Sequence, residues 1–445
     1  MNTNTINVIG AGLAGVEAAW QAARQGVKVK LYEMKPCRYS PAHTSPNMAE
    51  LVCSNSLRSD SLENAVGLLK AEMTLLSSLV MEAARACSVP AGGCLAVDRE
   101  GFSRYITDKI KSCENIEVIE GEVTSLDMDG VTVVATGPLT DGELAEYLSK
   151  LLDEDSLSFY DAAAPIVEKE SIDFSSAFSA SRWGKGEAAY INCPMTREEY
   201  DVFWRELISA ETAHLHGFEE SDPKVFEACM PVEVMASRGH DTLLFGPMKP
   251  VGLVDPKTGE EPYAVVQLRQ DNSEATMYNI VGFQTHLTFG EQKRVFGLIP
   301  ALKNASFLRY GVMHRNTFIN SPKLLDRFYR LRKNPRIYFA GQMTGVEGYL
   351  ESASSGLLAG LNAARQVRGL EPVVFDSDTA IGALATYVSN ESVVKFQPMN
   401  VNFGIIKPLD RRVKGGKSAR NAAVSERALG IVENIIKEYI NETDN

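Results

Sequence analysis

The sequence predicts an α/β fold, a Rossmann-like dinucleotide-binding domain interrupted by an α+β insertion, and three observations carry that expectation. A βαβ unit opens the chain, a buried strand ending in a glycine turn returns near Gly341, and a compositionally different stretch separates the two. At ~150 residues for a domain, the 445 residues leave room for two or three. With 44% apolar and 23% charged residues and a mean hydropathy of -0.12, the chain has ample material for a buried core. It lacks the polar, aromatic-poor signature of disorder.

The opening unit is explicit. Thr5-Ile6-Asn7-Val8-Ile9 is a β-branched run leading into Gly10-Ala11-Gly12-Leu13-Ala14-Gly15, followed by an alanine-rich helical stretch that ends at Gly26. A second strand, Val27 to Tyr32, ends at Glu33, eighteen residues after Gly15. A glycine fingerprint alone is weak evidence, but strand, turn, helix, strand and terminal acid together define a dinucleotide site. Gly10 permits the turn, Gly12 lets the backbone approach a pyrophosphate, and Gly15 packs helix on strand. The helix N-terminus, with Ala11, Leu13 and Ala14, attracts the anion. Glu33 is placed to accept hydrogen bonds from an adenosine ribose.

Two later segments choose the cofactor. Val131-Thr132-Val133-Val134-Ala135-Thr136-Gly137-Pro138 resembles the interior strand and Ala-Thr-Gly turn of two-dinucleotide-type flavoproteins. Arg336-Ile337-Tyr338-Phe339-Ala340-Gly341-Gln342 reads as another buried strand, and Met343 to Gly348 as a loop opening a helix from about Glu351 to Gln366. That pair resembles the late flavoprotein segment in which a strand ends in Ala-Gly-Asp and the next helix points its N-terminus at the flavin; Gln342 stands in place of the Asp. These resemblances imply FAD, rather than NAD, as the tightly bound cofactor, with Thr136, Gly137, Gly341, Gln342 and Gly345 as further contacts. Since the nucleotide fold starts at the first residue and is completed only after about 330, the expected division is 1–165 and 330–445 for the FAD-binding domain, the latter with C-terminal helices. The insertion is 166–329. Gly137 to Asp173 holds ten acids and two bases, and extended stretches such as Tyr263 to Leu268 then mix with helices such as Arg197 to Ala210. The active site is expected in the cleft between insertion and FAD domain.

Composition excludes several classes. Fifty-seven acidic against 45 basic side chains give a net charge of -12 and a pI near 5.2, the opposite of a general nucleic-acid-binding footprint. No apolar run reaches the ~18 residues of a membrane span, and no basic n-region precedes a long apolar core, so a cytoplasmic protein without membrane contact is expected. The seven cysteines, 37, 53, 87, 94, 113, 193 and 229, include no Cys-x-x-Cys pair and read as thiols in a reducing compartment, with no metal expected. Cys53, in Ala49-Glu50-Leu51-Val52-Cys53-Ser54-Asn55-Ser56-Leu57-Arg58, falls shortly after the Glu33 strand and so near the flavin. Cys229, in Phe226-Glu227-Ala228-Cys229-Met230-Pro231-Val232-Glu233, lies in the insertion. Ser54, Asn55 and Arg58 near one thiol, and Arg238 and Lys249 downstream of the other, favour thiolates where they approach in space.

Several stretches taken in order resemble the bacterial flavin- and folate-dependent tRNA (uracil-5-)-methyltransferases. They are Gly10 to Gly15, Ala49 to Arg58, Val97-Asp98-Arg99 with Phe102-Ser103, Tyr190 to Met195, Cys229 to Met235 and Phe245 to Leu253. Val265 to Asn272, Tyr310 to Thr317, Ala340 to Tyr349 and Phe396 to Asn400 continue the match across nearly the whole chain. The resemblance implies methylation of uridine-54 in the tRNA T loop to ribothymidine, with methylenetetrahydrofolate as carbon donor and NADH or NADPH re-reducing the flavin. It implies Cys229 as the thiolate that adds to uracil C6, making C5 nucleophilic, and Cys53 as a second reactive thiol, either the base that removes the C5 proton or a guard of the flavin. Glu233 is read as a proton-transfer aid or a solvated acid. His286 and Tyr349 are read as pterin contacts or structural residues. Arg315 is read as a grip on the folate glutamate or an RNA phosphate, and Asp98-Arg99 as the cap of a helix beginning near Glu100. The alternatives are the same chemistry on a ribosomal uridine, and a non-catalytic FAD-bearing RNA-binding protein; monomer and homodimer both stay open. Seven basic residues against one acid between Arg315 and Arg336, and six against one between Lys407 and Arg420, form the expected tRNA phosphate surface, with no DNA partner.

Overall fold

The computed structural model describes residues 4–153, 157–162, 164–184, 186–213, 230–311, 313–393, 396–410 and 413–440. The chain begins with β1 (Thr5–Ile9), the Leu13–Arg24 helix and β2 (Lys28–Glu33). β3 (Ser56–Ser59), β4 (Ser88–Val89) and β5 (Cys94–Val97) form a small antiparallel sheet, and β6 (Ile116–Glu120) and β7 (Val131–Val134) follow. After β8 (Leu157–Ala162) come β9 (Ile166–Glu168), β10 (Phe178–Ala180), β11 (Tyr190–Met195), β12 (Ala264–Gln270), β13 (Met277–Ile280) and β14 (Phe307–Arg309). β15 (Met313–Phe318) pairs with β8 and carries the chain back to β16 (Ile337–Phe339).

Two sheets organise these strands. The first runs β16-β7-β1-β2-β6 with every pair parallel. Parallel strands covered on both faces read as continuous apolar runs, and Ile6, Val8, Ile9, Val131, Val133, Val134, Tyr338 and Phe339 are all buried. This is the Rossmann-like FAD-binding architecture expected from the glycine fingerprint, with β16 arriving from the far end of the sequence. The second sheet, β10-β11-β12-β13-β9-β14, is antiparallel throughout. Its own core joins Ile191, Val266 and Leu268 to Tyr200 and Phe203 of the Arg197–Ile208 helix and to Phe283 and Phe296. A reciprocal cap, Thr196 with Glu199, starts that helix by satisfying two of its free amide groups.

Helix contact then joins the ends of the first domain. The Leu13–Arg24 and Tyr349–Val367 helices touch backbone to backbone, because Cβ atoms added at Gly356 and Gly360 would fall 2.0 Å from Ala14 O and 2.3 Å from Ala18 O. The later helix starts at Tyr349, two residues before the expected Glu351, since Gly348 at φ 118° supplies the turn into it. The first core already contains Phe318, Ile319 and Leu324, so the returning chain rejoins it before β16.

Candidate active site

The glycine turn builds one wall of a cleft that also draws on Glu33 to Lys35, Arg38, Ala135 to Asp141, Gly341-Gln342, Cys53 and Tyr349, with about 1490 Å³ of empty space counting its open mouth. Gly10 has φ 94°, and a Cβ there would meet Ala135 O at 2.6 Å. A Cβ on Gly15 would lie 1.7 Å from Gly10 O, so Gly15 serves helix-on-turn contact and is not part of the cleft wall. Gly12 is different. It lines the cleft, precedes the helix without a side-chain cap, and a Cβ there would meet nothing within 4 Å. With Leu13 and Ala14 it leaves a helix N-terminus open towards the cleft, the arrangement an anionic pyrophosphate needs.

Glu33 is buried at the end of β2, where Oε2 accepts from Ala11 N at 2.7 Å and Oε1 from Lys35 N at 3.0 Å. The carboxylate therefore fixes the glycine turn as well as facing the cleft, and each oxygen keeps a lone pair for a ribose hydroxyl. Thr136 and Gly137 line the opposite wall, with Thr136 Oγ1 2.7 Å from Thr140 Oγ1. Gly341, at φ 85°, and Gln342 close the third side; Gln342 Nε2 donates to both oxygens of Glu347, at 2.9 and 2.8 Å. Gly345 stands outside the cleft wall, and a Cβ there would lie 2.3 Å from the Phe396 ring. A dinucleotide with a flavin fits these residues: an open helix N-terminus for phosphates, an acid at the ribose position, and a cleft long enough to pass from Glu33 to Tyr349.

Cys53 is half-buried in the cleft wall. Its loop is held by Tyr349, whose Oη accepts from Cys53 N at 2.8 Å and Ser54 N at 3.0 Å. Burial pushes the Tyr349 phenol far above its ordinary pKa, so it is neutral at physiological pH. Arg58, expected from sequence to serve the thiol, instead pairs with the fully buried Glu351. The Arg99 guanidinium, on the Arg99–Ser112 helix, is close enough for its charge to act on Cys53. Asp98 does cap that helix, with Oδ1 accepting from Gly101 N at 2.6 Å. Lys35 and Glu50 add charge to the cleft wall and Arg309 stands behind it beside Arg99 and Glu50, while burial first, then the Lys35 ammonium, hold the cleft-lining His43 below the ordinary imidazole value. Arg309 and His43 were not singled out by sequence reasoning, and Arg99 was read only as part of a helix cap. Val97-Asp98-Arg99 lies among the resembling stretches, and the capping signal of Asp98 hid the role of Arg99.

The remaining expected residues scatter. Cys229 lies outside the described residues. His286 Nδ1 sits 2.5 Å from Glu233 Oε1, and the same carboxylate accepts from His286 N and Thr285 Oγ1, so buried Glu233 ties the Val232–Ser237 helix to this loop. Arg315 belongs to β15, opposite Tyr160 of β8. Cys193 is fully buried in the second core and burial pushes its thiol up to about 12, leaving it inert.

Parallel sheet, open glycine turn and acid-ended β2 together define a flavoprotein of the Rossmann-like FAD-binding class. The chain belongs to the family described as glucose inhibited division protein A, whose model matches residues 5–371. A relative from Acetivibrio thermocellus, named methylenetetrahydrofolate--tRNA-(uracil-5-)-methyltransferase TrmFO, is 62% identical over 434 residues, 98% of this chain and 99% of the relative. One of the same name from Lactiplantibacillus plantarum is 61% identical over 425 residues, 96% of each chain. Aquifex aeolicus GidA, in its form I crystal, superposes with a TM-score of 0.70 at 18% identity, over 99% of this chain and 77% of that one, a likeness of fold.

Proposed function

We propose that this chain methylates C5 of uridine-54 in the T loop of tRNA, taking its carbon from methylenetetrahydrofolate and its reducing equivalents from FAD re-reduced by NADH or NADPH. The observation that carries this reading is 62% identity, over 98% of the chain, to a relative named for that activity. The cleft supplies a matching cofactor site. We read 1–165 and 330–445 as the FAD domain and 166–329 as the insertion.

When bound, reduced FAD supplies the hydride that turns an exocyclic methylene into a methyl group. The chain's own residues do the rest. Gly12, Leu13 and Ala14 hold the pyrophosphate through amides, and Glu33 holds the ribose. Cys229 adds as thiolate to uracil C6, and the electron pair released to C5 makes that carbon the nucleophile for the one-carbon unit. Loss of the C5 proton expels the donor amine from the one-carbon unit and leaves an exocyclic methylene; hydride addition to that methylene pushes Cys229 off C6 as thiolate and restores the pyrimidine ring. Cys53, in the cleft wall, is the second thiol of the site. His286, Tyr349 and Arg315 remain candidate contacts for pterin, folate glutamate or RNA, with His286 and Tyr349 each also engaged in structural bonds.

Nucleoside mass spectrometry of tRNA and rRNA from a deletion strain tests the reading: ribothymidine should vanish from tRNA. Its persistence together with loss of a ribosomal methyluridine would move the target to rRNA. RNA containing 5-fluorouracil should trap a covalent adduct that disappears in Cys229→Ala, and an adduct that survives the substitution would falsify the assigned nucleophile. No helix among the described residues is long and apolar enough to cross a membrane.

A further inference from the structure

The loop carrying Cys53 is gripped by the end of β12 and the segment that leaves it. Arg269 donates to Asn55 Oδ1 at 3.2 Å and to Ser54 Oγ at 2.8 Å, and Asn55 Nδ2 donates to Gln270 O at 2.9 Å and Val97 O at 3.0 Å. Ser273 donates from N and Oγ to Asp98 Oδ2, at 2.8 and 2.7 Å. Arg99 lies at the centre of this seam. Its Nε and Nη2 donate to the two oxygens of Asp271, at 3.2 and 3.0 Å, while Nη1 donates to Leu51 O, two residues before Cys53. Asp271 is 1% exposed and Arg99 13%. A buried guanidinium needs such a partner, and the fork geometry decides its orientation. Since Asp271 takes the Nε–Nη2 edge, the edge left over faces the Cys53 loop.

Arg99 and Tyr349 act directly on that thiol, and the other titratable groups around its loop come from several elements. Tyr349, from the Tyr349–Val367 helix, is neutral; Arg309 of β14 faces Arg99, Tyr349, Glu50 and Asp271; Glu50 also faces Lys35 and His43. Arg58 is spent on Glu351.

We propose that Arg99, oriented by Asp271, is the positioning residue of Cys53: it holds the loop that carries the sulfur and favours the thiolate. The segment after β12 thereby sets the reactivity of a thiol in the FAD domain. This rests on the reading of Cys53 as a reactive thiol of the methylation site. Its test requires neither tRNA nor folate, so its failure and that of the methylation reading are separable.

The flavin-loaded enzyme is alkylated with iodoacetamide over a range of pH, and Cys53 labelling is followed by peptide mass spectrometry with exposed Cys37 as internal reference. In the wild type the labelling midpoint should fall below the ordinary thiol value of about 8.5. Arg99→Gln should raise it by about one pH unit, slowing labelling at neutral pH about tenfold, with bound flavin and Cys37 labelling unchanged. A wild-type midpoint at or above about 8.5, or an Arg99→Gln midpoint equal to the wild type's, overturns the proposal. Should Arg99→Gln lose its flavin, Arg99→Lys decides, since it keeps the charge and loses the fork. A midpoint between those of the wild type and an ordinary thiol supports the proposal, and one that does not move overturns it.

Discussion

Gly12 and Gly15 sit three residues apart in one turn and answer to different constraints. Gly15→Ala drives a methyl group into Gly10 O, 1.7 Å away in the present backbone, so the turn must open. It should destabilise the fold by about 3 kcal/mol or more and lower the melting temperature. Gly12→Ala meets no protein atom, so its melting temperature without cofactor should stay near the wild type's while bound flavin, read by visible absorbance, falls sharply. Equal losses of stability in both variants would contradict this division of labour. Tyr349→Phe removes the acceptor of two amides and should cost about 1–3 kcal/mol, with faster hydrogen exchange at Cys53 and Ser54. Legibility at this scale follows sequence distance. Asp98 as a cap and Glu33 as the acid ending a strand are local signals and could be read directly. Arg99 could not, because its partner Asp271 lies 172 positions away and nothing in either segment announces the pair.

Helix starts far from their own sequence neighbours are capped by buried acids. Glu72, on the Ala65–Leu75 helix, accepts from Ala380 N at 2.7 Å and Ile381 N at 2.9 Å, closing the N-terminus of the Ala380–Ser389 helix. Glu17 does the same for the Leu79–Ala86 helix through Ser78 Oγ and Val80 N. Two amides and a helix dipole favour the carboxylate, yet burial outweighs them and lifts Glu72 to about 7. A carboxyl group whose pKa is raised by folding binds protons more tightly in the native state. Its contribution to stability is complete below its unfolded value of about 4.3 and is lost as pH rises to about 7. Glu72→Gln should therefore flatten the stability profile between those limits by on the order of 1–3 kcal/mol, measured by urea unfolding at several pH values. An unchanged profile would place the titration elsewhere. Elements with strong apolar or glycine signals were legible: β1, β2, β7, β16 and the Arg197 helix all lie where pattern predicts. β6 was not, since Ile116-Glu117-Val118-Ile119-Glu120 carries acids three positions apart, without a strand's alternation, and takes its place by pairing with β2.

Over the whole molecule the charge is less free than the sequence suggests. In the basic stretch from Arg315 to Arg336, Arg327 pairs with Asp376, Arg330 with Asp326 and Arg332 with Glu391, whereas Lys323, Lys333 and Arg336 are exposed. Linear counting of charge already includes Asp326 but misses Asp376 and Glu391, which come from other segments. Replacing Lys333 and Arg336 with alanine should weaken tRNA binding and reduce the dependence of log K on log salt by about two, while Arg327→Ala should change it less. A slope untouched by the double replacement would remove this face from the tRNA surface. The two-sheet architecture, with a parallel cofactor sheet and an antiparallel insertion, was legible from the fingerprint and the late glycine turn. The small β3-β5-β4 sheet was not, for its strands are two to four residues long. The close contact of Gly356 and Gly360 with Ala14 and Ala18 also governs how the protein is born. On the ribosome β1 and its helix emerge first, but β16 must pair with β7 from roughly 200 residues downstream, and a closure that long is slow. The nascent glycine turn stays without the third side of its cleft until Gly341, Gln342 and the Tyr349 helix have left the exit tunnel. Cofactor capture is thus a late event of synthesis, after the insertion has had time to fold on its own core.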